Sequence, residues 1–241
     1  MSRLKNAPLL EVIFELRWDI SSPADWEKYT YLQGDLYSQL REKYPKRELL
    51  APVDIPAELL KNKAVYRFRS EKDYPLFQVG PGLLTFNTTD EEYDWVDYFQ
   101  NIQELLQIFF ELHPFQSGAR VTPSLSYFDF LKVDWQHENV LAYLNTNLNV
   151  KLEHQFHDFE QGPVGLNIGL RYKTALGALA LRVDAGANKT GERGIVMQTK
   201  LDGEKASPDL TILNNWLDRA HSFSSQLFKD LTKGELYESF K

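Results

Sequence analysis

The sequence predicts an α+β protein built from two tandem β-α-β-β-β-α units, each an antiparallel curved sheet with helices packed on one face. Three observations lead there. Residues 8–20, PLLEVIFELRWDI, alternate apolar and polar side chains like a half-buried strand. Two long stretches of helical period, each closed by a proline, enclose a group of short β-rich runs. The same order of elements then recurs, dividing the chain into units 1–117 and 118–241.

The opening strand places Leu10, Val12, Phe14, Leu16, Trp18 and Ile20 on one face, and Leu9, Glu11, Ile13, Glu15, Arg17 and Asp19 on the other. A helix follows, because Ser22 suits an N-cap, Pro23 the first helical position and Asp25 the positive end of the dipole. Trp26, Tyr29, Leu36, Leu40 and Tyr44 recur at helical spacing until Pro45 ends the run. After a variable polar stretch, residues 64–69 alternate as a strand. Gly80-Pro81-Gly82 then turns between two β-rich runs. The next helix is expected to carry Asp90, Glu91 and Glu92 at its start, to bury Trp95, Ile102 and Phe109, and to stop at Pro114.

In the second half, residues 120–135 form a long strand with Val121, Leu125, Tyr127, Leu131 and Val133 on one parity. A short helix at 138–148 uses Val140, Leu141, Leu144 and Leu148, while residues 151–160 read equally as strand or loop. Segments 165–174, 175–187 and 195–203 read as three strands joined by glycine-containing turns. A long helical tail from residue 207, broken near Gly234, completes the unit. SSPADW and SPDLTILNNW both put Ser-Pro before a tryptophan-bearing helix, an echo of pattern more than of identity.

Composition narrows the function classes. With 241 residues, 43% hydrophobic and 25% charged, the chain has the make-up of a globular protein. It has no cysteine, which excludes a thiol nucleophile, a disulfide scaffold and cysteine-ligated metal. Glu11, Glu15 and Arg17 interrupt the only N-terminal apolar run, so no signal peptide is expected, and no apolar run spans a bilayer. A cytoplasmic location without membrane attachment is the expectation. The net charge of −7 argues against a dedicated nucleic-acid binder.

Glu11, Glu15, Arg17 and Asp19 share one strand face, with alternate residues roughly 7 Å apart. Two carboxylates at that spacing could flank a substrate. A recognition groove, or a solvated face with a Glu15–Arg17 ion pair, explains them with fewer assumptions. Arg67 and Arg69, with Lys61 and Lys63 nearby, form a basic strand edge that could touch an anion, though alternating charge on an exposed strand needs no such purpose. Together Glu11, Glu15, Arg17, Arg67 and Arg69 make the candidate recognition surface. The segment Glu153-His154-Gln155-Phe156-His157-Asp158 could ligate zinc or iron, but lacks firm helical period, and a surface loop is the default. His221, beside Asp218 and Arg219, could be a general base, yet no nucleophile signature accompanies it, and helix packing is the simpler reading. His113 before Pro114 suits a helix C-terminus favoured by the dipole. Gly80-Pro81-Gly82 and Gly191-Glu192-Arg193-Gly194 precede no helix and are turns, not phosphate loops. Trp26, Tyr29, Trp95, Tyr98 and Phe99 sit at core spacing and serve packing.

PLLEVIFELRW, YRFRS followed by FQVGPGLLTFN, and the tail LDRAHSFSSQLFKDLT resemble a family of sporadically distributed bacterial proteins of roughly 250 residues and unknown function. Ser126-Tyr127 stands where members of that family more often have Arg-Tyr. The resemblance implies full-length architecture and an accessory role, in defence or on a mobile element, and supplies no catalytic residue. The doubled element order is also similar to TATA-binding-protein-like and helix-grip folds. The functional expectation is a non-enzymatic binding or adaptor protein with no catalytic, metal or cofactor-binding residue assigned, meeting a protein partner or small ligand and open to self-association. The alternatives are a small-molecule binder or enzyme using a cavity between sheet and C-terminal helix, and nucleic-acid binding on a saddle-shaped sheet.

Overall fold

Strand β1 (Leu9–Trp18) follows its sequence pattern: Val12, Phe14, Leu16 and Trp18 are buried, while Arg17 on the opposite parity is exposed. The computed structural model describes residues 4–52, 54–89, 93–134, 139–153, 163, 165–232 and 234–241. Helix α1 (Pro23–Leu40) begins as its sequence predicts. The Ser22 hydroxyl accepts from the Asp25 amide, and the Asp25 carboxylate accepts from the Ser22 amide, closing a capping box. Its buried stripe is Tyr29, Leu32, Leu36 and Leu40.

Strand β2 (Lys46–Leu49) was not expected, because Lys-Arg-Glu-Leu lies exposed along the sheet edge and carries no apolar alternation. Charged edges discourage pairing with other chains. A 3-10 turn at Ala57–Leu60 leads to β3 (Tyr66–Arg69), β4 (Leu76–Gly80) and β5 (Leu83–Thr88). Pro81 and Gly82 form the β4–β5 turn, where Gly82 adopts a φ of 77° that favours glycine. Helix α2 (Trp95–Leu112) starts later than expected. Asp94 is its N-cap, accepting from the Val96 and Asp97 amides, and Asp90–Glu92 lie outside the described residues.

The second half contributes β6 (Val121–Lys132), α3 (Val140–Asn147), β7 (Asn167–Thr174), β8 (Gly177–Ala187), β9 (Arg193–Asp202), α4 (Leu210–Leu231) and α5 (Gly234–Ser239). The nine strands form one antiparallel open sheet in the order β2-β3-β4-β5-β1-β6-β9-β8-β7. The fold is thus α+β. Strands before residue 118 lie on one side of the β1–β6 pair and later strands on the other, with Phe14 opposite Leu125 at the seam.

The helices cover one face of this sheet. Phe14, Phe77, Phe86 and Leu125 meet α1, α2 and the first half of α4 in a large core that crosses the seam. A second cluster packs Val140 and Leu144 of α3 over Leu181, Val183, Ile195 and Met197. Each large side chain fully withdrawn from water contributes about 1.5–3 kcal/mol, so the helix-facing parity fixes strand register. Among the described residues no helix is long and apolar enough to cross a membrane.

None of the described helices lies over the other face, and the sheet curls toward it. In a flat sheet β4 and β8, five strand spacings apart, would be separated by roughly 24 Å. Yet Lys189, in the loop after β8, sits over the ring of Tyr74, in the loop before β4, with Nζ 5.3 Å from its centroid. The uncovered face is therefore a trough whose two wings meet at one end.

Candidate functional site

All five residues of the candidate recognition surface lie on the uncovered face. Glu11, Glu15 and Arg17 take the β1 parity opposite Val12 and Phe14. The register carries that parity through Thr85 and Asn87 of β5 and Gln78 of β4 to Arg67 and Arg69 of β3. On the other side it passes through Ser124 and Ser126 of β6 to Lys200 of β9, Arg182 of β8 and Arg171 of β7. The floor of the trough is withdrawn from solvent: Thr85, Asn87, Ser124 and Ser126 are only 4%, 6%, 3% and 4% exposed.

Polar side chains this deep call for partners, and Thr85, Asn87 and Ser124 have them. Asn87 donates to Glu11 at 3.0 Å and accepts from the Thr85 hydroxyl at 2.9 Å. Glu15 bonds Arg17 at 3.0 Å, the ion pair the sequence suggested, and also faces Lys200 at 3.4 Å and the Ser124 hydroxyl at 3.2 Å. These contacts tie β1 to β6 and β9 across the seam. Arg67 and Arg69 do not form a sheet edge, as expected from sequence. Strand β2 lies outside them, and its Glu48 pairs with both, at 3.2 and 3.4 Å. Lys61 is likewise engaged, donating to the Ile20 carbonyl. On the far wing Arg171, Lys173 and Arg182 are exposed and have no ion pair among the described residues. Basic side chains outnumber acidic ones along the trough, the reverse of the whole chain's balance of −7.

A cavity of about 200 Å³ opens on the helix-covered side, between β1, β6 and β9 and the helices α2 and α4. Tyr127 and Asp129 of β6 reach it because they share parity with Leu125 and Leu131. Trp95, in the first turn of α2, stacks on His221 of α4 with ring centroids 3.7 Å apart. The Tyr127 hydroxyl lies 2.8 Å from His221 Nδ1, and the Tyr93 hydroxyl 3.2 Å from that of Tyr127. Burial holds the imidazole down at about 4, against the opposing pull of Asp218, so it is neutral near pH 7. In the Nε2–H tautomer Nδ1 accepts from Tyr127, which accepts from Tyr93; in the Nδ1–H tautomer the Tyr127 oxygen accepts from the ring. Both phenols are pushed far up by burial and stay protonated. Asp129 is 6% exposed and has no hydrogen-bond or ion-pair partner among the described residues, and desolvation alone raises its carboxyl to about 7.

His221 therefore does more than pack a helix: it links α2, α4 and β6 at this cavity. Sequence reading did not single out Asp129. Its signal was present, a carboxylate on the apolar parity of the strand at 120–135. Trp95 was assigned to packing, and half of that is borne out, since it packs against a cavity wall. His113 is the C-cap of α2, but burial holds it neutral at about 4, so no cationic interaction with the dipole operates near pH 7. His154 and His157 lie outside the described residues. Comparison of the chain with protein-family models, with curated proteins and with solved structures finds no match in any of the three.

Proposed function

We propose that the chain is a non-enzymatic binding protein whose trough receives an acidic polypeptide segment. The observation that carries this reading is the gathering of Glu11, Glu15, Arg17, Arg67 and Arg69, from separate strands, onto the sheet face that none of the described helices covers. Charge supports the choice of partner. Arg171, Lys173 and Arg182 line the outer wing without ion pairs among the described residues, and a carboxylate-rich segment would supply them.

The same reading treats the chain as two tandem units forming one saddle, the second β-α-β-β-β-α and the first the same order with β2 added at the sheet edge. Each half lays its first strand beside its last, β1 by β5 and β6 by β9, and the two first strands meet antiparallel at the centre. That order supports the tandem interpretation and its likeness to TATA-binding-protein-like saddles.

Fluorescence anisotropy with a labelled oligoglutamate peptide and a labelled DNA duplex, each at low and moderate salt, tests the proposal. The peptide is expected to bind. The combined Arg171→Glu, Lys173→Glu and Arg182→Glu variant is expected to weaken it at least tenfold with an unchanged circular dichroism spectrum. Binding of the duplex in preference to the peptide, or equal peptide binding by the variant, would overturn it.

A further inference from the structure

The cavity is independent of the trough, which lies on the other face of the sheet, and it presents a specific chemical demand. Its polar wall is a chain of groups already hydrogen-bonded to one another: Tyr93 to Tyr127, and Tyr127 to His221. None of these reaches Asp129. The Asp94 carboxylate at the mouth is exposed to water, and its Oδ1 accepts from the Val96 and Asp97 amides that it caps. Asp129 is thus a deeply buried carboxyl that faces a cavity and lacks any described partner. A buried carboxylate without compensation is costly, and a cation brought to it recovers that cost.

The rest of the wall suits an organic cation more than a hydrated ion. Tyr93, Trp95 and Tyr127 offer aromatic surface, which attracts ammonium and guanidinium groups. Leu9, Val96 and Phe228 add hydrocarbon. A volume of about 200 Å³ equals that of six or seven waters at roughly 30 Å³ each, space for a small amine with a ring or short chain.

We propose that the cavity between the sheet and helices α2 and α4 binds a small organic cation, with its ammonium or guanidinium on the Asp129 carboxylate and its apolar body against Leu9 and Phe228. Binding requires the ionised carboxylate, so affinity falls as pH drops below about 7, where Asp129 takes up a proton. The groups facing Asp129 from the packed elements do not alter this. Tyr93 and Tyr127 remain neutral throughout, and His221 charges only near 4.

Isothermal titration calorimetry on the full chain tests the site with three amines (2-phenylethylamine, cyclohexylmethylamine and agmatine) and the neutral isostere 2-phenylethanol. At pH 8 at least one amine is expected to bind tenfold or more tightly than the alcohol, and to weaken severalfold at pH 6. Asp129→Asn, which keeps shape and removes charge, is expected to lose the amine preference while retaining its circular dichroism spectrum. If that variant misfolds, Phe228→Trp, which narrows the cavity from α4, is expected to weaken amine binding at least tenfold. Absence of binding by all three amines would overturn the proposal. So would equal binding of amine and alcohol, or undiminished amine binding in a folded Asp129→Asn protein.

Discussion

Asp129 shows how a single side chain can set both a ligand preference and a stability profile. Its carboxyl is raised to about 7, so the folded state holds its proton more tightly than the unfolded chain does. Below pH 4 the group is protonated in both states and costs nothing. As pH rises from about 4 to 7, the unfolded chain releases its proton first and stability declines; above 7 the deficit is constant. Asp129→Asn removes the deficit. The ligand-free variant should therefore be more stable than the parent by up to about 4 kcal/mol at pH 8, at about 1.4 kcal/mol for each pKa unit, and by visibly less at pH 5. Thermal denaturation at the two pH values checks this, each kcal/mol corresponding to about 2–4 °C in a domain of this size. An equal gain at both pH values would place the effect in packing and not in the charge.

Elements were legible in the sequence where one face is dry and the other wet. Strand β1 and helix α1 announce themselves by period and cap, because burial of Val12, Phe14, Leu32 and Leu36 dictates which positions are apolar. Strand β2 was invisible for the same reason reversed: all four residues are exposed, so no burial shaped their pattern. The cavity escaped because it depends on contacts distant along the chain, such as Trp95 on His221, which no local period encodes. Strand β4 carries a comparable long-range constraint at Gly80. A Cβ there would overlap the Lys63 carbonyl oxygen, whose backbone cannot retreat without disturbing the Val65–Val79 hydrogen bond. Gly80→Ala should cost about 2 kcal/mol or more, whereas Gly169→Ala on edge strand β7, with open space around the new methyl, should stay within about 0.5 kcal/mol. Urea denaturation of both variants tests the contrast, and a neutral Gly80→Ala would mean that the β3–β4 region yields more easily than its contacts suggest.

At the scale of the whole molecule, the question is whether the halves divided at residue 117 are physically separable. The seam between them is an antiparallel ladder in which β1 pairs with β6 from Leu9 to Trp18, broken only by a register shift at Leu10. Cutting there exposes the hydrogen-bonding edge of β1, a ten-residue strand whose other parity is apolar (Val12, Phe14, Leu16 and Trp18), an invitation to pair with another chain. It also splits the main core, since Val121, Leu125, Leu201, Leu213 and Leu217 from the second half share a cluster with Phe14, Phe86 and Ile102 from the first. Polar contacts cross as well, through Glu15 to Lys200 and Ser124. The five apolar side chains alone account for roughly 7–15 kcal/mol at 1.5–3 each, comparable to the whole stability of an ordinary domain. A fragment of residues 1–117 should therefore fail to fold as a monomer, appearing as a poorly dispersed or self-associated species in two-dimensional NMR and sedimentation. The full chain should unfold in one cooperative transition by two probes, tryptophan fluorescence and far-ultraviolet circular dichroism. A well-dispersed monomeric spectrum from the fragment would mean that each half carries its own sufficient core, and that the seam is an interface between domains instead of the middle of one.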